Sequence, residues 1–317
     1  MMAGSGASNA TSSTVTLEQL LISRQIECGI QNEATNWYVL LDPSVHGSWE
    51  NVTSLLANLI PNAAQVVNLY DDLAGTGLAE GGPRLAALPK DVPALGQPLD
   101  QTQVLHRALL ILSTGSLADL GNHLRRLRET TLPDNSVALF RFQDTRVIRA
   151  MSSMLDQDQI GAVLGPSLCW LCIDECGEPT TVKHTTSAMP RAYGNFRMRQ
   201  PQLLSVDDWL LPYELLSHTR EADSAVLAGL SDCAQVRLAR RNVELAKQVG
   251  LRRAPDVCLF GVLAFQLPEG FEREPPFKAA LEVVKEHGMS FSLALDQADA
   301  RDWGRWNEWL AQQDGMV

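Results

Sequence analysis

SLCWLCIDECGEPTTVKHTT, residues 167–186, divides into three pieces. SLCWLCID is an apolar run of strand length, Asp174 to Pro179 carries turn residues, and TTVKHTT is rich in the β-branched side chains of a returning strand. The reading is a β-hairpin. The same stretch holds Cys169, Cys172 and Cys176 with His184 behind them, which raises a zinc module as an alternative. Strand side chains alternate between faces, so Cys169 and Cys172, three apart, point opposite ways. A structural zinc site needs four ligands. No second pair completes one here, because Cys233 and Cys258 stand alone and His184 has no partner histidine just beyond it. These cysteines read as core or edge residues, with neither metal nor cofactor.

Upstream of the hairpin, DQDQIGAVLG (156–165) reads as a helix stopped by Gly165-Pro166. SVALFRFQD (136–144) alternates around Arg141 like a strand near the centre of a sheet, and Asp144 stands at the N-cap position of TRVIRAMSSML. SLADLGNHLRRLRETTLPD (116–134) repeats Leu117, Leu120, Leu124 and Leu127 at helical spacing. Further back, RLAALP and AAQVVNLYD (63–71) read as strands, NVTSLLANLI (51–60) as a helix, WYVLLDPS (37–44) as a buried strand and LEQLLISRQIE (17–27) as a helix. Strand, helix, strand in this order suggests an α/β layer.

Downstream, residues 187–204 carry Pro, Gly and three arginines without periodicity, and beyond them the signals are helical. The apolar segment from Pro255 to Leu267 reads as a buried helix, and Gly250 stands where a C′ glycine belongs. The expected class is therefore mixed α+β or α/β. Residues 1–16 form a disordered Gly/Ser/Thr leader, 17–190 an α/β domain with its sheet flanked by helices, and 191–317 an all-α lobe.

With 317 residues, 45% hydrophobic and 20% charged, the chain can fill two cores. A net charge of −11 argues against a nucleic-acid partner. The longest apolar run, VCLFGVLAF (257–265), is too short to span a bilayer. Six cysteines are too few for a disulfide scaffold. A cytoplasmic protein with reduced thiols and no membrane partner is the expectation.

Phosphate-binding loops, HExxH and GxSxG are absent from the sequence, and the six histidines (46, 106, 123, 184, 218 and 287) show no i, i+4 ligand pairing. No catalytic residue is assigned. A hydrolase or transferase using Asp42, His46 and Asp71 stays as the alternative, although Asp42-Pro43 is first a strand terminator. Two surfaces are candidates for binding a partner. Arg125, Arg126, Arg128, Arg141, Arg146 and Arg149 cluster within an acidic protein, either ion-paired to Asp134, Asp144 and Asp156 or docking an acidic segment. Trp303, Trp306 and Trp309 recur every three residues, either as core or as an interface stripe.

In HLRRLRETTLPDNSVALFRFQDTRVIRAM the chain resembles the adaptor, or effector-chaperone, family of bacterial type VI secretion. WYVLLDP, GPRLAAL (82–88), LFRFQDTRVIRAM (139–151) and LGPSLCW (164–170) occur in the family's order, so the resemblance spans about residues 37–185. It implies a non-enzymatic cytoplasmic protein that binds a toxic effector and helps load it onto the VgrG spike. No catalytic or cofactor residues carry over, and the hairpin cysteines and the Trp-rich tail depart from the family pattern.

Overall fold

ALLILS, residues 108–113, is buried along its whole length and lies within a six-stranded sheet. The computed structural model describes residues 16–28, 35–43, 66–88, 108–184 and 196–314. Its strands are β1 (Asn36–Leu41), β2 (Val66–Asn68), β3 (Arg84–Ala87), β4 (Ala108–Ser113), β5 (Glu129–Thr131), β6 (Val137–Leu139), β7 (Ser167–Ile173) and β8 (Pro179–Lys183). The large sheet runs β2-β3-β1-β4-β7-β8, with every neighbouring pair antiparallel.

Both faces of this sheet are covered. On one, α1 (Leu17–Glu27) contributes Leu17, Leu20 and Leu21 to a core with Val39, Leu41, Leu110, Leu171 and Ile173. Residues of the other parity, such as Trp170, face the opposite layer, where Phe142 lies 6.1 Å from the indole. That layer includes α2 (Leu117–Leu127), α3 (Thr145–Met151) and α4 (Gln157–Leu164), which pack on β3 and β7. A strand covered on both sides loses its polar alternation, which is why β4 is apolar throughout. The helices start where side chains can satisfy orphan N–H groups: Ser116, Asp144 and Asp156 cap α2, α3 and α4 in turn.

The antiparallel ladder makes the fold the α+β form of the expected class, since the strand–helix–strand pattern had suggested an α/β layer. The hairpin at 167–183 forms as β7 and β8, paired from Cys169↔Lys183 to Ile173↔Pro179. Two local expectations are corrected. The helix beginning at Leu117 ends at Leu127, and Glu129–Thr131 turns into a strand. Residues 136–144 are no central strand: only Val137–Leu139 pairs, with β5, in a separate two-stranded sheet. Phe140 and Phe142 leave that ladder to bury their rings against Phe196 and Trp170.

The chain divides into two compact units, Met1–Leu203 and Leu204–Val317. The boundary expected at 190/191 lies outside the described residues, as do the helix at 51–60 and the leader up to residue 15. Thr16 is described, and its side chain caps α1. The second unit is helical among the described residues. It holds most of α5 (Gln200–Asp223), then α6 (Asp232–Gln248), α7 (Ala254–Gln266), α8 (Phe277–His287), α9 (Phe291–Asp296) and α10 (Ala300–Asp314). Leu215, Val243, Phe260, Phe271, Phe277, Phe291 and Trp306 form its core. Gly250 adopts φ 102° just past α6, a conformation that only glycine enters freely.

Candidate functional site

The 139–151 block is the hub of the first unit. Phe140 and Phe142 are buried, Arg141 between them is exposed, and Asp144 is buried at the start of α3. Asp144 accepts the backbone N–H of Arg146 at 3.0 Å and is gripped by that residue's guanidinium at 2.9 and 2.6 Å. One turn on, Arg149 donates to Asp174 at 2.9 Å and to Glu175 at 3.3 Å. Asp174 shapes the hairpin turn, because its Oδ1 accepts the N–H groups of Cys176 and Glu178, both at 2.8 Å. Arg149 therefore ties the block to the hairpin through an ion pair whose members are nearly buried.

Three other candidate arginines also have partners, while Arg126 is exposed. Arg125 forks onto Asp71 at 3.2 and 2.9 Å, and Arg128 onto Asp72 at 2.6 and 2.5 Å. The Arg128 guanidinium holds the Asp72 carboxyl below its ordinary range. Arg141 reaches the buried Asp42 at 3.4 Å while its side chain stays 45% exposed. Of the three expected carboxylate partners only Asp144 is used in this cluster; Asp134 bonds Ser136, and Asp156 pairs with Arg199. Arg125, Arg128, Arg146 and Arg149 thus hold elements of their own unit together. Asp42 and Asp71 of the alternative catalytic set are occupied by Arg141 and Arg125, and His46 lies outside the described residues.

What the first unit does expose is a row along β6. Val137 and Leu139 are 66% and 52% exposed, and Arg141 follows at the same parity. Across the ladder stand Thr131 and Glu129. The far edge of β5 is partly taken by residues 196–198: Thr131 N–H donates to the Phe196 carbonyl at 3.2 Å, and Met198 N–H to the Thr131 carbonyl at 3.0 Å. Among the described residues no strand pairs with the far edge of β6. Beside this hairpin, the turn at Leu132 and Pro133, the start of α4 and Phe196–Arg199 line a groove of about 730 Å³. In the sequence, Val137 and Leu139 beside the Pro133 turn signal this surface, but their continuity with Phe140 and Phe142 makes the whole stretch read as one central strand.

In the second unit, Trp306 is a core residue, with its ring 4.9 Å from Phe277 and stacked 4.8 Å from Trp309. Trp309 packs on the same core, and Trp303, at 37%, is the exposed member of the three.

Cys169 and Cys172 are buried free thiols with separate surroundings. Cys172 lies near Arg149 and Asp144 and is pushed up to about 12 by burial. Cys169 shares a hydrogen bond with Cys28, so Cys28 is lowered to about 7 while Cys169 is raised.

An antiparallel sheet layered between helices, tightened by arginine ion pairs and exposing an apolar row, makes up the first unit, and the second is helical among the described residues. Residues 37–162 match the model of the family described as Domain of unknown function (DUF4123). No curated protein and no solved structure matches the chain. No helix among the described residues is long and apolar enough to cross a membrane.

Proposed function

We propose that this protein is a cytoplasmic adaptor, a chaperone that binds one type VI secretion effector and promotes its loading onto the VgrG spike, without catalysing a reaction. The reading rests on the resemblance of LFRFQDTRVIRAM and its companion segments to that adaptor family, in the region that also matches the domain family above. The observation that carries it is the division of labour within the block. Phe140, Phe142, Asp144 and Arg149 build the scaffold, and Val137, Leu139 and Arg141 are left facing out beside the groove. A strand edge that no described strand pairs, flanked by apolar side chains, suits an extended segment of another polypeptide. The hydrolase or transferase alternative gains no support from Asp42 and Asp71, both engaged by arginines.

The full chain is used to capture partners from its native cell, and the captured proteins are identified by mass spectrometry. One secreted toxin, together with a VgrG protein, is the expected catch. Val137→Glu, at a 66% exposed position, should weaken capture of that toxin about tenfold or more, with the melting temperature within a few degrees of the parent. Capture of neither protein, or loss of binding that only mirrors loss of folding, would refute the assignment.

A further inference from the structure

Away from that surface, α5 and α7 bring together three side chains of mixed donor chemistry. Glu214 and His218 lie one turn apart on α5, and Cys258 lies on α7; one ligand atom from each falls within 4.8 Å of the others. The i, i+4 spacing puts the first two on one face. Cys258 reaches them because α7 carries Gly261, where a Cβ would stand 2.5 Å from Leu215 Cδ2. A larger residue there would have to displace the Leu215 side chain. Burial is graded across the cluster: Cys258 is 3% exposed, whereas the Glu214 and His218 side chains are 54% and 49% exposed. A soft sulfur forms the floor, and an imidazole and a carboxylate form the rim.

The surroundings of His218 supply a second observation. Its Nε2 lies 3.8 Å from Glu214 Oε1, and its Nδ1 lies 3.7 Å from Glu221 Oε2. Both separations exceed hydrogen-bond length. The first matches the ligand–ligand spacing around a tetrahedral cation, roughly 3.3–3.8 Å for metal–ligand bonds of about 2.0–2.3 Å. A carboxylate facing the second ring nitrogen is the usual outer support of a metal-bound histidine, because it fixes the tautomer and the ring direction.

We propose that Glu214, His218 and Cys258 bind one divalent transition-metal cation of the zinc class, with water as fourth ligand and Glu221 orienting the imidazole. Sulfur, nitrogen and a single carboxylate select zinc-like ions over magnesium or calcium, which require oxygen ligands. The cation displaces the thiol proton of Cys258, because only the thiolate ligates. Affinity therefore rises with pH. Bound metal ties α5 to α7 within the second unit, independently of the adaptor reading.

The test uses the untagged full chain, stripped with a chelator and titrated with cobalt(II) and then zinc(II). One equivalent of cobalt should bind with a thiolate-to-metal charge-transfer band, and zinc should abolish that band. Cys258→Ser should remove the band. His218→Gln and Glu214→Gln, at half-exposed positions that leave folding intact by circular dichroism, should each weaken binding tenfold or more. Glu221→Gln should cost about tenfold, the size of an outer-support loss. Absence of the band in the parent protein, its survival in Cys258→Ser, or unchanged affinity in folded His218→Gln would each overturn the proposal.

Discussion

Arg149 sits where α3 meets the β7–β8 turn, and its charge is nearly out of solvent, with 8% of the side chain exposed against 10% for Asp174 and 12% for Glu175. Removing one member of a buried ion pair leaves the other charge uncompensated, which costs about 3–5 kcal/mol. Arg149→Met should lose that much in denaturant unfolding. Arg125→Met should lose about 0–1 kcal/mol, because its partner Asp71 is 56% exposed and solvent screens the pair. Equal losses would show that Arg149 does not bear on the hairpin. His123 makes a different residue-scale statement. Its Nε2–H donates to the Val163 carbonyl at 3.0 Å, its ring fills the space where a Cβ on Gly165 would sit 2.3 Å away, and burial lowers its pKa. A histidine with a depressed folded pKa is protonated more readily in the unfolded chain, so stability is full above about pH 6.5 and falls as pH drops toward the folded value. His184 shifts in the same direction. Denaturant midpoints measured from pH 7.5 down to 5.5 should therefore fall, and His123→Gln should flatten part of that slope. A slope identical in the variant would exclude His123 as its source.

The β5–β6 hairpin is the element on which the proposed binding surface depends. Replacing both Val137 and Leu139 by Thr keeps β-branched or strand-tolerant side chains at exposed positions, so unfolding free energy should change by no more than about 0.5 kcal/mol per site. Capture of the effector should drop at least tenfold, read by the same pull-down or by titration calorimetry. Unchanged capture would move the interface elsewhere. This hairpin also shows where the sequence is a poor guide. Residues 136–144 alternate correctly, with Phe140 and Phe142 inside and Arg141 outside, but alternation says nothing about which sheet a strand joins. Helical spacing carried the reading past Leu127 because Arg128 to Thr131 contain no breaker, and pairing with β6 ends the helix there. Capped helices read far better: α1, α3 and α4 begin within a residue or so of their Thr or Asp caps. The central β4 went unread, since a run buried on both faces has no period to notice. At the candidate metal cluster, Glu214 and His218 fall outside the pattern of paired histidines, and nothing local in the sequence links them to Cys258, forty residues on; only the packing of α7 against α5 at Gly261 and Leu215 brings them together.

At the scale of the whole molecule, each unit carries its own apolar core, one around Val39, Leu110 and Leu171 beside α1, the other around Phe260, Phe271 and Phe291. An aromatic deletion in a packed core costs about 3–5 kcal/mol, and the loss is felt first by the residues that share that core. Phe142 is fully buried in the first unit within reach of Trp170, and Phe260 is fully buried in the second, 5.1 Å from Phe271 and 6.0 Å from Phe291. Peptide-level hydrogen exchange distinguishes local from shared stability, because amides exchange through the cheapest opening available to them. Phe142→Ala should speed exchange through β4 and β7 while leaving α6 and α7 at parental rates, and Phe260→Ala should do the reverse. If either substitution accelerates both regions alike, the two cores unfold as one cooperative body. In that case cargo bound to the first unit would stabilise the helices of the second to the same extent, whereas separately folding cores confine the effect of cargo to the unit that grips it.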